Sequence, residues 1–351
     1  MTKFILSLSS LFILSISVAQ KKELPTVQVL TSGTKTSLRG LSVVNNEVVW
    51  VSGSNGTIGR SSDGGKNWKW FVVKGFEKTE FRDIEGFDAT TAVIMNSSDK
   101  DPAWILRTVD GGESWKVVYE NRKKGMFLDA MEFWNEQAGI VVGDPIDGKF
   151  FIARTFDGGK TWQDVPFEKL PAADSGEACF AASGTNIRAL DNDEAIFVSG
   201  GLTSNVFIRD EKIKLPLLQG KETTGANSIA VWDRYTRKGG DQLVVVGGDF
   251  MNPNSDSLNC FYSTNRGKTW KASKTPPHGY RSCVEYLDKK VLVSCGINGV
   301  DYTTDNANTW KLISKEGFNT VRIAKLGSTV YLAGNNGKIA KLEYKFNKKG
   351  D

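Results

Sequence analysis

A closed ring of seven four-stranded antiparallel blades, an all-β propeller, is the architecture this sequence predicts, and three observations predict it. A tight turn followed by tryptophan recurs: "SSDGGKNW" ends at Trp68, "TVDGGESW" at Trp115, "TFDGGKTW" at Trp162, "STNRGKTW" at Trp270 and "TTDNANTW" at Trp310. A hairpin pattern recurs between those turns, beginning near residues 38, 81, 127, 184, 226, 281 and 320. That spacing is the one expected of propeller blades. The last unit also lacks a fourth strand, while a spare strand-like segment, "TVQVLTSG", stands at residues 26–33.

Each unit reads the same way from its start. "SLRGLSVVNNEVVWVSG", from Ser37, is an apolar strand, a polar Asn45-Asn46 turn and a second strand closed by glycine, which are hairpin signals. The fourth copy turns at Asp191-Asn192. A third strand follows, such as "GTIGRSS" or "KFFIARTF", and then the Asp-Gly-Gly turn, whose glycines accept the positive φ that side chains resist. Trp heads the fourth strand, as in "WKWFVV" and "WKVVYE". No segment sustains a helical period, which excludes a solenoid of helix pairs. If residues 26–31 pair with 338–345, the ring closes and two exposed edges disappear. The propeller is then expected to span residues 25–345, within a single domain of residues 20–351.

The first residues stand apart. "MTKFILSLSSLFILSISVAQ" has a lysine, a short serine-rich apolar run and small residues at Ser17 and Ala19. This is a secretory signal over residues 1–19 with cleavage after Ala19. The run is too short and polar for an anchor, and no later segment reaches the length of a membrane span. The chain is therefore expected in the periplasm, the cell envelope or the extracellular space.

Composition narrows the partners. The chain has 351 residues, 40% of them hydrophobic, and a net charge of +5, one unit of which (Lys3) lies in the signal. So mild and dispersed an excess argues against nucleic acid. The expected partner is a protein, a peptide or a carboxylated glycan, bound by a monomer. The cysteines, Cys179, Cys260, Cys283 and Cys295, match no zinc spacing, and His278 is the single histidine. Neither a metal nor a cofactor is expected, since there is no dinucleotide fingerprint or haem motif. In the hairpin "CVEYLDKKVLVSC" a three-residue turn centred on Lys289 sets Cys283 opposite Cys295, where a disulfide is possible. A two-residue turn shifts the pairing by one and leaves both thiols free.

The "SxDGGxxW" turns resemble the Asp-box, or BNR, repeat of sialidases and of many non-enzymatic secreted propellers. The match is full at Asp63 with Trp68, Asp110 with Trp115 and Asp157 with Trp162. Two copies depart from it: Asn265, with Trp270, replaces the Asp, and after Asp305, with Trp310, Ala307 replaces the second glycine. Units four and seven carry no box. Strand alternation puts these turns on the face of the short first-to-second-strand turns, opposite the long loops. Turns spread around one rim do not converge on a substrate, so the boxes are expected to be structural, each carboxylate accepting bonds from its own turn.

Function is expected on the loop face. The segments 96–103, 143–149, 166–183 and 247–259 outgrow their counterparts "GSNG", "GING" and "GNNG". Arg39 and Arg82 fall at one place in the first two inner strands, Arg281 is there or one residue off, and Arg322 follows in the seventh. On neighbouring blades they would make an anion-binding arc. Facing them are Asp83, Glu85, Asp129, Glu132 and Glu177, and the competing expectation is a network of ion pairs that neutralises itself.

"FRDI" resembles the sialidase Phe-Arg-Ile-Pro motif at Phe81 and Arg82. It departs at Asp83 and Ile84, and it follows the first box instead of preceding it. A sialidase-like hydrolase would draw its acid and base from Asp83, Asp129, Glu132 or Glu177. Over the whole mature chain the sequence is more similar to the photosystem II assembly factor family and its non-photosynthetic BNR-propeller relatives. That resemblance implies binding of protein partners with no catalytic centre. An exported, non-catalytic binding or assembly protein, with its ligand at the loop-face mouth of the channel, is the resulting expectation.

Overall fold

A computed structural model of the chain describes residues 24–344, apart from 192, 233 and 235–238. The signal expected at 1–19 and residues 345–351 thus lie outside the described residues, as does Asn192. The described strands form seven antiparallel sheets arranged as a propeller. From the channel outward, blade one takes Leu38–Val43, Val49–Gly53, Thr57–Ser61 and Lys69–Val72, and blade two Phe81–Gly86, Ala92–Asn96, Ala103–Thr108 and Lys116–Asn121. Blade three takes Leu128–Phe133, Gly139–Ile146, Lys149–Thr155 and Gln163–Asp164, and blade four Ile187–Ala189, Ala195–Val198, Asn205–Ile208 and Glu211–Lys214. Blade five has Thr224–Val231, Leu243–Asp249, Cys260–Ser263 and Lys271–Ala272, and Gly200–Gly201 and Glu177–Ala178 extend it past its inner strand. Blade six has Cys283–Asp288, Val291–Gly296, Gly299–Thr303 and Lys311–Ser314. Blade seven has Thr320–Ile323, Val330–Ala333 and Ile339–Glu343, with Thr26–Thr31 outermost. The N-terminal strand closes the ring as the sequence predicts: Thr26 lies opposite Glu343 and Val27 opposite Leu342.

The core is divided among the blade interfaces. Leu38, Leu41 and Val49 of blade one pack on Tyr331, Ala333 and Ile339 of blade seven, and on blade one's other side Trp50 and Ile58 pack on Phe81, Ile84 and Ile94. Equivalent layers fill the remaining interfaces. Trp50 and Trp134 also donate their indole N–H to Asp88 and Glu194 carbonyls of the next blade, each at 2.8 Å. Both tryptophans are inter-blade braces.

The Asp-box turns are structural ties. Asp63 accepts from Ser61 Oγ and the Asn67 N–H, both at 2.9 Å, and Asp110 and Asp157 repeat the pattern. Asn265 keeps it, accepting the Thr269 N–H at 3.0 Å, as does Asp305 with the Thr309 N–H at 2.8 Å. In every copy the residue after the Asp or Asn (Gly64, Gly111, Gly158, Arg266, Asn306) donates its N–H to the first-to-second-strand turn of its own blade. These bonds fix both sets of turns on one face. Where glycine is missing the backbone still takes the left-handed conformation, with φ of 60° at Arg266, 57° at Asn306 and 66° at Ala307.

Register corrects one sequence argument. The blade-six hairpin has a two-residue turn, Asp288 pairing with Val291, yet Cys283 still lies opposite Cys295 because a bulge at Leu287 restores the alignment. Both are free thiols in the structure. Among the described residues, four inner strands bulge at their loop-face end, and the extra residues are Arg39, Arg82, Asp129 and Asn227. A bulge bends its strand and re-aims a side chain; here the same defect, repeated blade by blade, sets the channel mouth.

Candidate functional site

The channel is blocked partway by the chain itself. After Glu177–Ala178 the polypeptide crosses the bore through Cys179–Asn186 before entering blade four. Arg39 of blade one donates to the Ala182 carbonyl at 3.3 Å. Ser183 Oγ donates to the Ser282 carbonyl of blade six at 2.7 Å, and the Ser183 carbonyl accepts from Arg322 Nη2 of blade seven at 2.9 Å. Thr185 Oγ1 bonds Ser228 Oγ of blade five at 2.6 Å. The Ala181 backbone lies against Asp129 of blade three. Gly184 abuts Asp83 of blade two: a Cβ there would sit 2.4 Å from the carboxyl oxygens, on a backbone with φ of 66°. Ala, Ser, Gly and Thr are what such a passage admits, and "AASGT" supplies them. The long segment 166–183 therefore ends as a plug.

Above the plug, at the loop-face mouth, stand the bulge residues. Arg39 and Arg82 repel each other there, and burial together with Arg82 lowers the Arg39 pKa. Arg82 Nε is buried with no hydrogen-bond partner among the described residues, and the closest carboxylate, Glu80, stands 4.0 Å away and half-exposed. Next round the ring Asp129 is fully buried. The Ala181 amide approaches it without closing a bond of normal geometry, and burial and then the neighbouring Asp144 push its pKa well up. Burial raises Asp144 to about 6, although it accepts the Cys179 N–H at 2.9 Å. The pair is thus prone to hold a proton, which leaves the two guanidiniums less compensated than a count of charges suggests.

Below the plug a cavity of about 460 Å³ opens between the first-to-second-strand turns, on the Asp-box face. Its carboxylates are Asp83, Glu85, Glu132, Glu136 and Glu285, and its cations Arg188, Arg234, Arg322 and Lys325. Arg188 bridges Glu132 at 3.5 Å and Glu285 at 2.9 Å, Arg234 holds Glu132 at 2.6 Å, and Lys325 pairs with Glu85. Burial would raise Glu132, but Arg234, Arg188 and Arg322 outweigh it and hold it low. Asp83, which among the described residues accepts the Ile84 and Met131 N–H groups, is pushed by burial up to about 7.

The sequence-predicted residues therefore separate. Arg39 and Arg82 meet at the loop-face mouth. Arg281 falls one residue short of them: its N–H bonds the Gly247 carbonyl, as Leu38's bonds that of Gly334, so it occupies Leu38's place, pointing into the wall. There it has no solvent exposure and is held by Asp301, Asn298 and the Tyr280 carbonyl. Arg322 lies beyond the plug in the lower cavity. The four do not form one arc. Of the carboxylates, Asp83 and Glu132 share the lower cavity and Asp129 faces the plug. Glu177 is enclosed by Ser199, Asn205 and Lys212. Inner-strand alignment alone could have found Arg188 and Glu285, which fall level with Glu132; the plug had no signal beyond its small residues.

The BNR/Asp-box repeat family matches over residues 261–272, the turn in which Asn265 stands for the Asp. No curated protein matches the sequence. The fold is similar to that of YCF48 bound to D1 peptide, with 16% identity, a TM-score of 0.64, and coverage of 93% of this chain and 97% of that one. It is similar to YCF48 from Cyanidioschyzon merolae at 16% identity and TM-score 0.63, over 91% and 99% of the two chains. The WD40 β-propeller domain of Doa1 is a further likeness, at 12% identity and TM-score 0.61, over 92% and 98%. This chain carries a BNR/Asp-box repeat, and its seven-bladed fold is similar to that of YCF48.

Proposed function

We propose that this chain is an exported, non-catalytic propeller that captures a peptide segment through a carboxylate at the loop-face mouth. The observation that carries it is the Arg39–Arg82 pair: two guanidiniums on adjoining bulges, one with a buried Nε that has no hydrogen-bond partner among the described residues, and among these no carboxylate closer than Glu80 at 4.0 Å. Such a pair is stabilised by an anion that forks onto it. Exposed Leu202, Phe250, Met251, Leu258 and Ile297 on the loops of blades four to six offer apolar contacts on the same face. A similar fold binds a peptide in YCF48 bound to D1 peptide, which supports the partner class. Export rests on the sequence pattern of residues 1–19.

A glycoside hydrolase needs two carboxyls across one substrate. Asp83 and Glu132 offer that only in the lower cavity, where Glu132 is already held by two arginines. The test uses fluorescein-labelled peptides of Glu, Leu and Phe with a free C-terminus, each beside an amidated form in which Gln replaces Glu. Binding should favour the free carboxylate and weaken with salt, and fluorogenic glycosides should not be turned over. Equal binding of free and amidated forms, or turnover lost in Asp83→Asn, would overturn the assignment.

A further inference from the structure

Beneath the plug, three donors converge on one sulfur. Cys283 Sγ receives the Val321 N–H at 3.4 Å, the Thr185 hydroxyl at 3.5 Å and Arg322 Nη1 at 3.5 Å. Cys295 lies opposite it, and the two thiols are close enough to share a hydrogen bond. Both are fully buried. Donors and an adjacent guanidinium stabilise a thiolate, which is the reactive form. Burial alone would raise the Cys283 thiol, but Cys295, Arg322, Thr185 and Val321 hold it well below the ordinary range. Glu285, Asp83 and Glu132 surround Arg322 on its other sides. Cys295 is pushed the opposite way, by burial and then by Cys283. The remaining cysteines have no such setting, and burial raises Cys260 to about 12 and Cys179 well up.

We propose that Cys283 and Cys295 are a redox-active dithiol, in which Cys283 is oxidised by a hydroperoxide and Cys295 resolves it to a cross-strand disulfide. The Cys283 thiolate attacks one oxygen of hydrogen peroxide, the O–O bond breaks, and Cys283 becomes a sulfenic acid while the released hydroxide takes a proton. The Cys295 sulfur then displaces the hydroxyl, which leaves as water with the Cys295 proton. Two thiols are oxidised by two electrons in all, and one peroxide is reduced to two waters. Arg322 touches Cys283 and also lines the lower cavity, so a shift of this one side chain would bring so small an oxidant from the cavity to the sulfur. Oxidation leaves Arg322 without its thiolate and makes that cavity more positive. None of this depends on the peptide-capture reading.

The test treats the folded chain with equimolar hydrogen peroxide and maps its cysteines by mass spectrometry without reduction. We expect one linked Cys283–Cys295 peptide lacking both thiol hydrogens, reversed by dithiothreitol, with Cys179 and Cys260 still free to alkylate after unfolding. Cys295→Ser, oxidised while folded and then unfolded into dimedone, should instead trap a dimedone adduct at Cys283. Arg322→Met, checked for fold by circular dichroism, should slow the reaction severalfold. Oxidation of Cys283 no faster than of Cys179 or Cys260, or no adduct in Cys295→Ser oxidised while folded, would overturn the proposal.

Discussion

The two ends of the channel are built from the same inner strands and differ in how their charges are matched. On the Asp-box side Arg188, Arg234 and Lys325 each hold a carboxylate. On the loop side Arg39 and Arg82 face each other with only a distant Glu80, next to an acid pair prone to hold a proton. One end satisfies its own charge, and the other is left to a partner. Counting charged residues along the inner strands cannot tell these apart. What separates them is a bulge that turns Arg39 and Arg82 to the mouth, and a plug that walls them off from the cavity.

The largest expected effect sharpens the contrast between rim and wall. Arg281→Ala should cost about 3–5 kcal/mol in a denaturant titration, because it strands a buried Asp301. Arg82→Ala, at the half-exposed rim, should cost less than about 1 kcal/mol. Equal costs would erase the distinction.

Titration comes next. Asp83 at about 7 and Asp144 at about 6 are raised by burial, so their contribution to stability is present below their ordinary value of 3.8 and lost as pH rises through 6 and 7. The exposed box residues Asp63 and Asp110 are lowered to about 2, mainly by Asn67 and Ser114, and contribute in the opposite sense, losing stability only as pH falls toward 2. Asp83→Asn should flatten the stability profile between pH 4 and 7, by up to about 4 kcal/mol. An unchanged slope would contradict a carboxyl buried against the plug.

Gly184→Ala tests the plug itself. The left-handed backbone and the contact with Asp83 should together cost about 2–3 kcal/mol, and hydrogen exchange should quicken in segment 179–186. The smallest effect belongs to the box face. Ala307→Gly relieves a positive φ but gives up a buried methyl group, so stability should rise by less than about 1 kcal/mol.

Repetition made most of the fold legible. Five Trp-headed turns, seven hairpins and an unmatched N-terminal strand each point to the ring, and they agree because every blade solves the same packing problem. The site was less legible for local reasons. The sequence left Arg281 either level with Arg39 or one residue off, and it is one residue out of phase, a slip that moves a side chain from channel to wall. The bulge at Leu287 aligned Cys283 with Cys295 through a turn that would otherwise have missed. Segment 166–183 looked like a lengthened mouth, yet its end fills the bore, because small residues carry little sign of where they pack.

Fluorescence anisotropy of a labelled Glu/Leu/Phe peptide with a free C-terminus, compared across wild type, Arg82→Ala and Arg234→Ala, tests the contrast between the two ends most directly. Loss of a charge-assisted bond should weaken binding at least about tenfold in Arg82→Ala, while Arg234→Ala, at the self-paired lower cavity, should bind as wild type does. Unchanged affinity in Arg82→Ala, or its loss in a folded Arg234→Ala, would place the ligand at the wrong end of the channel for this account.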